Sequence, residues 1–230
     1  MRKLGILVLG LCLGLSMPVA AKPASEPWDG LIEVHTRRMD AGFLLPGADF
    51  RPYTKVMLDR PEAAFRKNWL RDMNSTRYGS RRVTDKDALK ILDAVQSNTS
   101  DIFIDAFSKG GYQVVTEAAP DVLRIRTGVI NLYVNAPDIM SAGRSRTYTA
   151  EAGEATLFLE VRDSQTNALL GRVLDRQSTR QLPGIANSVT NLADYRSLAA
   201  QWAKLSVKGL NDLKAISPIP ERLSPGQKLN

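Results

Sequence analysis

TDKDALKILDAVQSNTSDIFIDAFSK, residues 84–109, decides the fold class. Apolar residues fall at Ala88, Leu89, Ile91, Leu92, Val95, Ile102, Phe103, Ala106 and Phe107, among others. Steps of three and four lay them in one stripe along a helix. Thr84 stands where an N-cap is needed, and Asp87 three residues on completes a capping-box pattern with Asp in place of Glu. Gly110-Gly111 ends the element, because glycine accepts the left-handed backbone that follows a helix. The polar run Gln96 to Ser100 marks a point where the helix could break.

Strands follow on the C-terminal side. Tyr112 to Glu117 is short and rich in β formers, and Val122 to Val134 alternates, with Leu123 and Ile125 on one face. From Ile130 the apolar phase moves to even positions, so a bulge or bend is expected at Gly128. Ala155 to Asp163 alternates again, Ser164 to Asn167 reads as a turn, and Ala168 to Thr179 returns as its partner. A tight turn places Val161 opposite Leu170 and Leu157 opposite Leu174. That register sets Arg172 between two leucines, where it must either reach solvent or meet an acid. A second amphipathic helix is expected over Asn191 to Lys214, with Leu192, Tyr195, Leu198, Ala199, Trp202, Leu205, Leu210 and Leu213 in its stripe.

On the N-terminal side, Tyr53 to Leu58 is a candidate strand, and Ala63 to Met73 is either a strand or a short helix. Two helices with one apolar stripe each want one sheet face. The expected class is therefore α+β, an antiparallel or mixed sheet with both long helices on one face, in the order β-α-β-β-β-β-α. A flexible leader is read over 22–41, a single domain over 42–214 and a proline-containing tail over 215–230.

The first 21 residues have the parts of a secretory signal: Arg2 and Lys3, an apolar run of 12 residues from Leu4 to Leu15, and small residues at Val19-Ala20-Ala21. As a helix that run spans about 18 Å, short of the roughly 30 Å of a bilayer core. Cleavage near Ala21-Lys22 and a periplasmic location are expected. Cys12, the only cysteine, lies inside the run, so the cleaved chain can form neither disulfides nor thiolate zinc sites. Losing Arg2 and Lys3 takes the net charge from +7 to +5. The basic residues read as scattered, with doublets at Arg37-Arg38 and Arg81-Arg82. Outside the cytoplasm, nucleic acid is not an expected partner. Anionic lipid or glycan is the ligand such a charge would favour.

Gly42-Phe43-Leu44, Tyr53 to Leu58, Gly111 to Val115, Pro120 to Ile125, Leu159 to Thr166 and Asp175-Arg176 together resemble a bacterial family of unknown function whose members are usually envelope lipoproteins. The resemblance covers most of residues 42–213 and rests on strand and turn patterns. It implies a role in the cell envelope and supplies no catalytic residues. This chain departs from the family at the lipidation cysteine, since Leu11 precedes Cys12 where a small residue is required. The departure implies a protein without a lipid tether.

Few constellations suit catalysis. His35 is the only histidine, so Glu33-x-His35 lacks a second imidazole for a metal site. Neither Gly-x-Ser-x-Gly nor a phosphate-binding Gly-rich loop is present. Paired acids are available in Asp59, Glu62, Glu160, Asp163 and Asp175. Acids alternating with arginines, as in Glu160 and Arg162 against Asp175 and Arg176, read first as an ion-pair ladder on a solvated sheet face. The 19-residue stretch Asn135 to Gly153 reads as a long loop carrying Arg144, Arg146 and Tyr148. These seven residues, Arg144, Arg146, Tyr148, Glu160, Arg162, Asp175 and Arg176, are the candidate ligand or partner contacts. No catalytic residue, cofactor or metal is assigned.

The expected function is a non-catalytic binding or assembly factor of the bacterial cell envelope, meeting an envelope protein or an anionic envelope surface. Two alternatives stay open: a carboxylate-based hydrolase of cell-wall material, and an electrostatic binder of anionic lipid or glycan.

Overall fold

Thr84 caps the long helix as its sequence implies. Its hydroxyl accepts from the Asp87 amide at 3.2 Å, and the Asp87 carboxylate accepts from the Thr84 amide at 3.0 Å. Thr84→Ala should therefore cost about 1 kcal/mol, read as a shift of the urea midpoint without a change in slope. In the computed structural model, which describes residues 29–134, 147–186 and 188–229, this helix, α2, runs Asp85–Lys109 without a break. The polar run does not interrupt it. Thr99 turns its hydroxyl to the Val95 carbonyl at 2.6 Å and to the Tyr195 hydroxyl, so a polar residue sits in the core fully bonded. Gly111 takes the left-handed backbone at φ +88°.

The other elements in chain order are β1 (Ile32–Val34), β2 (Ala41–Leu44), β3 (Lys55–Leu58), β4 (Glu62–Phe65) and the short helix α1 (Trp69–Asn74) before α2. After it come β5 (Gln113–Val114), β6 (Val122–Val134), β7 (Thr147–Asp163), β8 (Leu169–Ala186) and α3 (Ser188–Ile216). One mixed sheet of eight strands takes the order β1-β2-β8-β7-β6-β3-β5, with β4 also on β6. β3 runs parallel to both β5 and β6, and β4 parallel to β6. Helices α2 and α3 pack on each other and on one sheet face, as expected. Phe103, Phe107, Tyr195, Leu198 and Trp202 close the core against Val56, Leu123, Ile125, Leu157 and Leu159.

Several sequence expectations need correction. The leader read over 22–41 lies outside the described residues up to 28, and its later part enters the sheet: Leu31 is buried and β1 pairs with β2. The tail is docked, since Ile219 is buried between bonds to Ala48 and Gly47, and the His35 amide donates to the Gln227 carbonyl at 2.9 Å. Ala63 to Met73 is both of the alternatives in turn, first β4 and then α1. The bulge in β6 lies beyond Gly128, where the register shifts between Ile130 and Tyr133 and Asn131 takes φ +53°. Asparagine tolerates that backbone better than most residues. Part of the loop read over 135–153 is strand, because β7 begins at Thr147, and α3 begins at Ser188, ahead of Asn191.

The largest correction is the β7–β8 register. Leu157 faces Asp175, and Val161 faces Gly171. The shift falls between Val161 and Arg162, where Leu170 is accommodated as an extra residue. Because side chains alternate, a slip of one residue exchanges the two faces of β8. Asp175 joins the helix side, and Arg172, Leu174 and Arg176 move to the opposite side.

Candidate functional site

Neither long helix covers the second face of the sheet, and a row of charge crosses it. Arg126 on β6 pairs with Glu160 on β7, which pairs with Arg172 on β8. A cation, an anion and a cation thus stand side by side across three strands, the favourable arrangement for cross-strand neighbours. Glu160 is 3% exposed and Arg172 5%. Arg172 Nη2 lies 2.7 Å from Glu160 Oε1 and 2.8 Å from Asp29 Oδ2. Arg162 Nη2 lies 2.8 Å from Glu160 Oε2, and Arg126 Nη1 lies 3.5 Å from the same oxygen. Glu160 is the hub of three arginines.

In the next row Arg124 faces Arg162, a like-charge pair that would be unfavourable if the heads met. They part instead. Arg162 turns to Glu160, and Arg124 turns to Asp59 with two bonds of 3.0 Å to its carboxylate. Arg126 also reaches Glu62 at 3.2 Å. Asp59, Arg60, Glu62, Arg124, Arg126, Thr127 and Asn167 line a shallow cleft of about 250 Å³. At the far edge Arg176 forms an ion pair with Glu154.

The electrostatics are those of ionised, occupied groups. Burial pushes the Glu160 carboxyl up, but hydrogen bonds from Arg172 and then Arg162 outweigh it and hold the group below the usual glutamate value. Such a carboxylate accepts hydrogen bonds and is a poor proton donor near neutral pH.

The acids expected to cooperate are in three separate settings. Asp175, 2% exposed, lies on the helix side and accepts from Trp202 Nε1 at 2.7 Å and from Gln177 Nε2 at 3.0 Å. Asp163 caps the β7–β8 turn, taking the Thr166 and Gln165 amides and the Tyr53 hydroxyl. Of these three, Glu160 alone belongs to the charged face, where Arg126 also reaches Asp59 and Glu62. Glu160, Asp163 and Asp175 therefore form no carboxylate pair, and Asp59 and Glu62, which line the shallow cleft, are held by Arg124 and Arg126. His35 is exposed, and among the described residues no group of three or more His, Cys, Asp or Glu is placed to hold a metal ion.

Of the candidate contacts, Glu160 and Arg162 meet, Arg176 stands at the edge of the same face, and Asp175 is turned away from it. Arg144 and Arg146 lie outside the described residues. Tyr148 is in β7 opposite Ile185, with its side chain outside them. The sequence reading missed Arg124 and Arg126, although their spacing of two within an alternating strand puts them on one face. It named Asp59 and Glu62 only as possible hydrolytic acids.

A family model described as "Protein of unknown function (DUF3313)" matches residues 22–206. No curated protein matches the chain. Among solved structures the chain is similar to the PelC dodecamer from Paraburkholderia phytofirmans, at 12% identity over 72% of this chain and 96% of that one, with a TM-score of 0.36. It is also similar to protein XCC0632 from Xanthomonas campestris, at 13% identity over 80% and 94%, with a TM-score of 0.38. A minor lipoprotein from Acinetobacter baumannii is similar at 9% identity over 70% and 94%, with a TM-score of 0.33. Likeness at these scores has no bearing on function. No helix among the described residues is long and apolar enough to cross a membrane.

Proposed function

The chain belongs to the family described as "Protein of unknown function (DUF3313)", and from that premise we propose that it is an exported, non-catalytic binding or assembly factor of the bacterial cell envelope. The observation that carries the binding role is the sheet face opposite the helices. Its charges are fixed by mutual ion pairs on rigid strands, and fixed alternating charge selects a partner by complementarity rather than by bulk attraction. The N-terminal signal pattern supports export, with release near Ala21-Lys22 and a periplasmic location.

The test uses a photo-crosslinking residue at Ser178, which is exposed on this face, and a second at Leu89, which is exposed on α2. In envelope preparations Ser178 should give a defined adduct that Leu89 does not. Arg126→Glu places an acid against Glu160 and should reduce that adduct by roughly tenfold. Equal labelling from both positions would remove the basis for the face. Turnover of cell-wall material abolished by one acid substitution would overturn the non-catalytic reading.

A further inference from the structure

The arginines of the sheet face are paired with acids, and most of the cations in residues 66–82 are not. Residues 66–82 read RKNWLRDMNSTRYGSRR, six cations and one acid. Their net charge of +5 equals that of the whole chain after Lys3. Arg71 has Asp72 at 3.3 Å. Among the described residues no carboxylate lies within ion-pair reach of Arg66, Lys67, Arg77, Arg81 or Arg82.

The segment is held in shape. Trp69, Met73 and Val83 form a small buried cluster beneath it, and Trp69 Nε1 donates to the Val134 carbonyl at 3.1 Å. The Asn74 amide closes a loop by taking the Val83 N–H and donating to the Val83 carbonyl, both at 2.8 Å. The chain between them is clamped at its base and carries Arg77, Tyr78, Arg81 and Arg82. Tyr78 is 82% exposed, whereas Trp69 and Met73 nearby are buried. The Arg66 guanidinium lies 4.4 Å from the Tyr133 ring centre. Arg77 is half-buried, and its Nη1 has no hydrogen-bond partner. Burial disfavours its charge, and the neighbouring Tyr133 only partly offsets that.

We propose that the clamped loop 75–82, with Arg66, Lys67 and Arg71 beside it, is a docking surface for a bilayer whose headgroups carry anionic phosphate. The exposed guanidiniums of Arg81 and Arg82 suit phosphate oxygens, which they meet with charge-assisted bonds. Basic residues near an anionic leaflet each strengthen binding, and an exposed tyrosine among them is the side chain that settles at the headgroup boundary. A clamped loop with Tyr78, Arg81 and Arg82 exposed together meets a surface, whereas a polyanionic chain is gripped along a groove. The surface adds to the envelope reading a way for the chain to stay at a membrane. It rests on that reading only for where such a bilayer is met.

The test is co-sedimentation of the purified full chain with vesicles of phosphatidylcholine, with and without phosphatidylglycerol. Binding should require phosphatidylglycerol and fall at least tenfold between 50 and 300 mM salt, both approximate figures for screened surface charge. Arg81→Gln with Arg82→Gln should weaken it about thirtyfold and Tyr78→Ala about fivefold. Arg37→Gln with Arg38→Gln removes the same charge from another exposed doublet and should change it less than about threefold. Binding caused by the apolar N-terminal run would be insensitive to salt and to all these changes. Such insensitivity overturns the proposal, as do absence of vesicle binding at low salt, equal loss from the two doublets, or retention by a soluble acidic polysaccharide with none by vesicles. Vesicle binding by a chain that cells keep in the cytoplasm would retain this surface and refute the envelope reading. An exported chain that ignores vesicles would do the reverse.

Discussion

Trp202→Ala is expected to destabilise the protein by about 3–5 kcal/mol, the range for deleting a large aromatic from a packed core. Trp202 is 0% exposed and sits where α3 meets the sheet. Its removal leaves a cavity, and it also strands Asp175, which accepts from Trp202 Nε1 at 2.7 Å. Asp175 keeps Gln177 Nε2 at 3.0 Å and the Asp40 amide at 3.2 Å, so its charge is not left wholly unmet. Trp202→Phe keeps most of the volume and loses only the donor, so it should cost about 1–3 kcal/mol. Against a total of about 5–15 kcal/mol for a domain, the alanine change removes a large share. Urea unfolding of both variants measures this. A loss below about 1 kcal/mol for Trp202→Ala would mean that α3 does not pack on this face.

The second large effect concerns the hub of the charged face. Glu160→Leu takes from the buried Arg172 its acid partner at 2.7 Å, and should cost about 3–5 kcal/mol. Adding Arg172→Met removes the buried cation that lost this partner, and the double variant should recover most of the loss. A double variant no more stable than the single one would show that packing, not the loss of charge pairing, set the cost. The pH dependence has a definite sign. The folded Glu160 binds its proton more weakly than the unfolded chain does, because Arg172 and Arg162 outweigh its burial. Its contribution is complete above the ordinary glutamate value of roughly 4.3 and is lost as pH falls through the lower, folded value. Glu160→Gln should flatten that part of the acid unfolding curve.

Much of the candidate site was within reach of the sequence, and the reasons for the misses are physical. Glu160 and Arg162 could be placed on one strand face by alternation alone. Arg172 was left with the choice of reaching solvent or meeting an acid, and it meets Glu160. Arg124 and Arg126 obey the same alternation, but their value depends on Asp59 and Glu62, which arrive from another part of the chain. The concentration of positive charge at residues 66–82 is visible in the bare sequence and was masked by reading doublets singly. What the sequence could not display is that acids neutralise the arginines of the sheet face.

By itself the amino-acid sequence determined the two long helices, the strands that alternate and the hairpin turn, because each is a pattern of neighbours within a few residues along the chain. Thr84 and Gly111 act on their own helix and needed nothing distant. The tertiary structure alone decided the sheet order, the docking of Leu31 and Ile219, and the single-residue shift at Leu170 that sends Asp175 to Trp202 and Arg172 to Glu160. Those outcomes balance burial against pairing between segments far apart in the chain. A register that changes by one residue reverses every side chain after it without altering the local pattern.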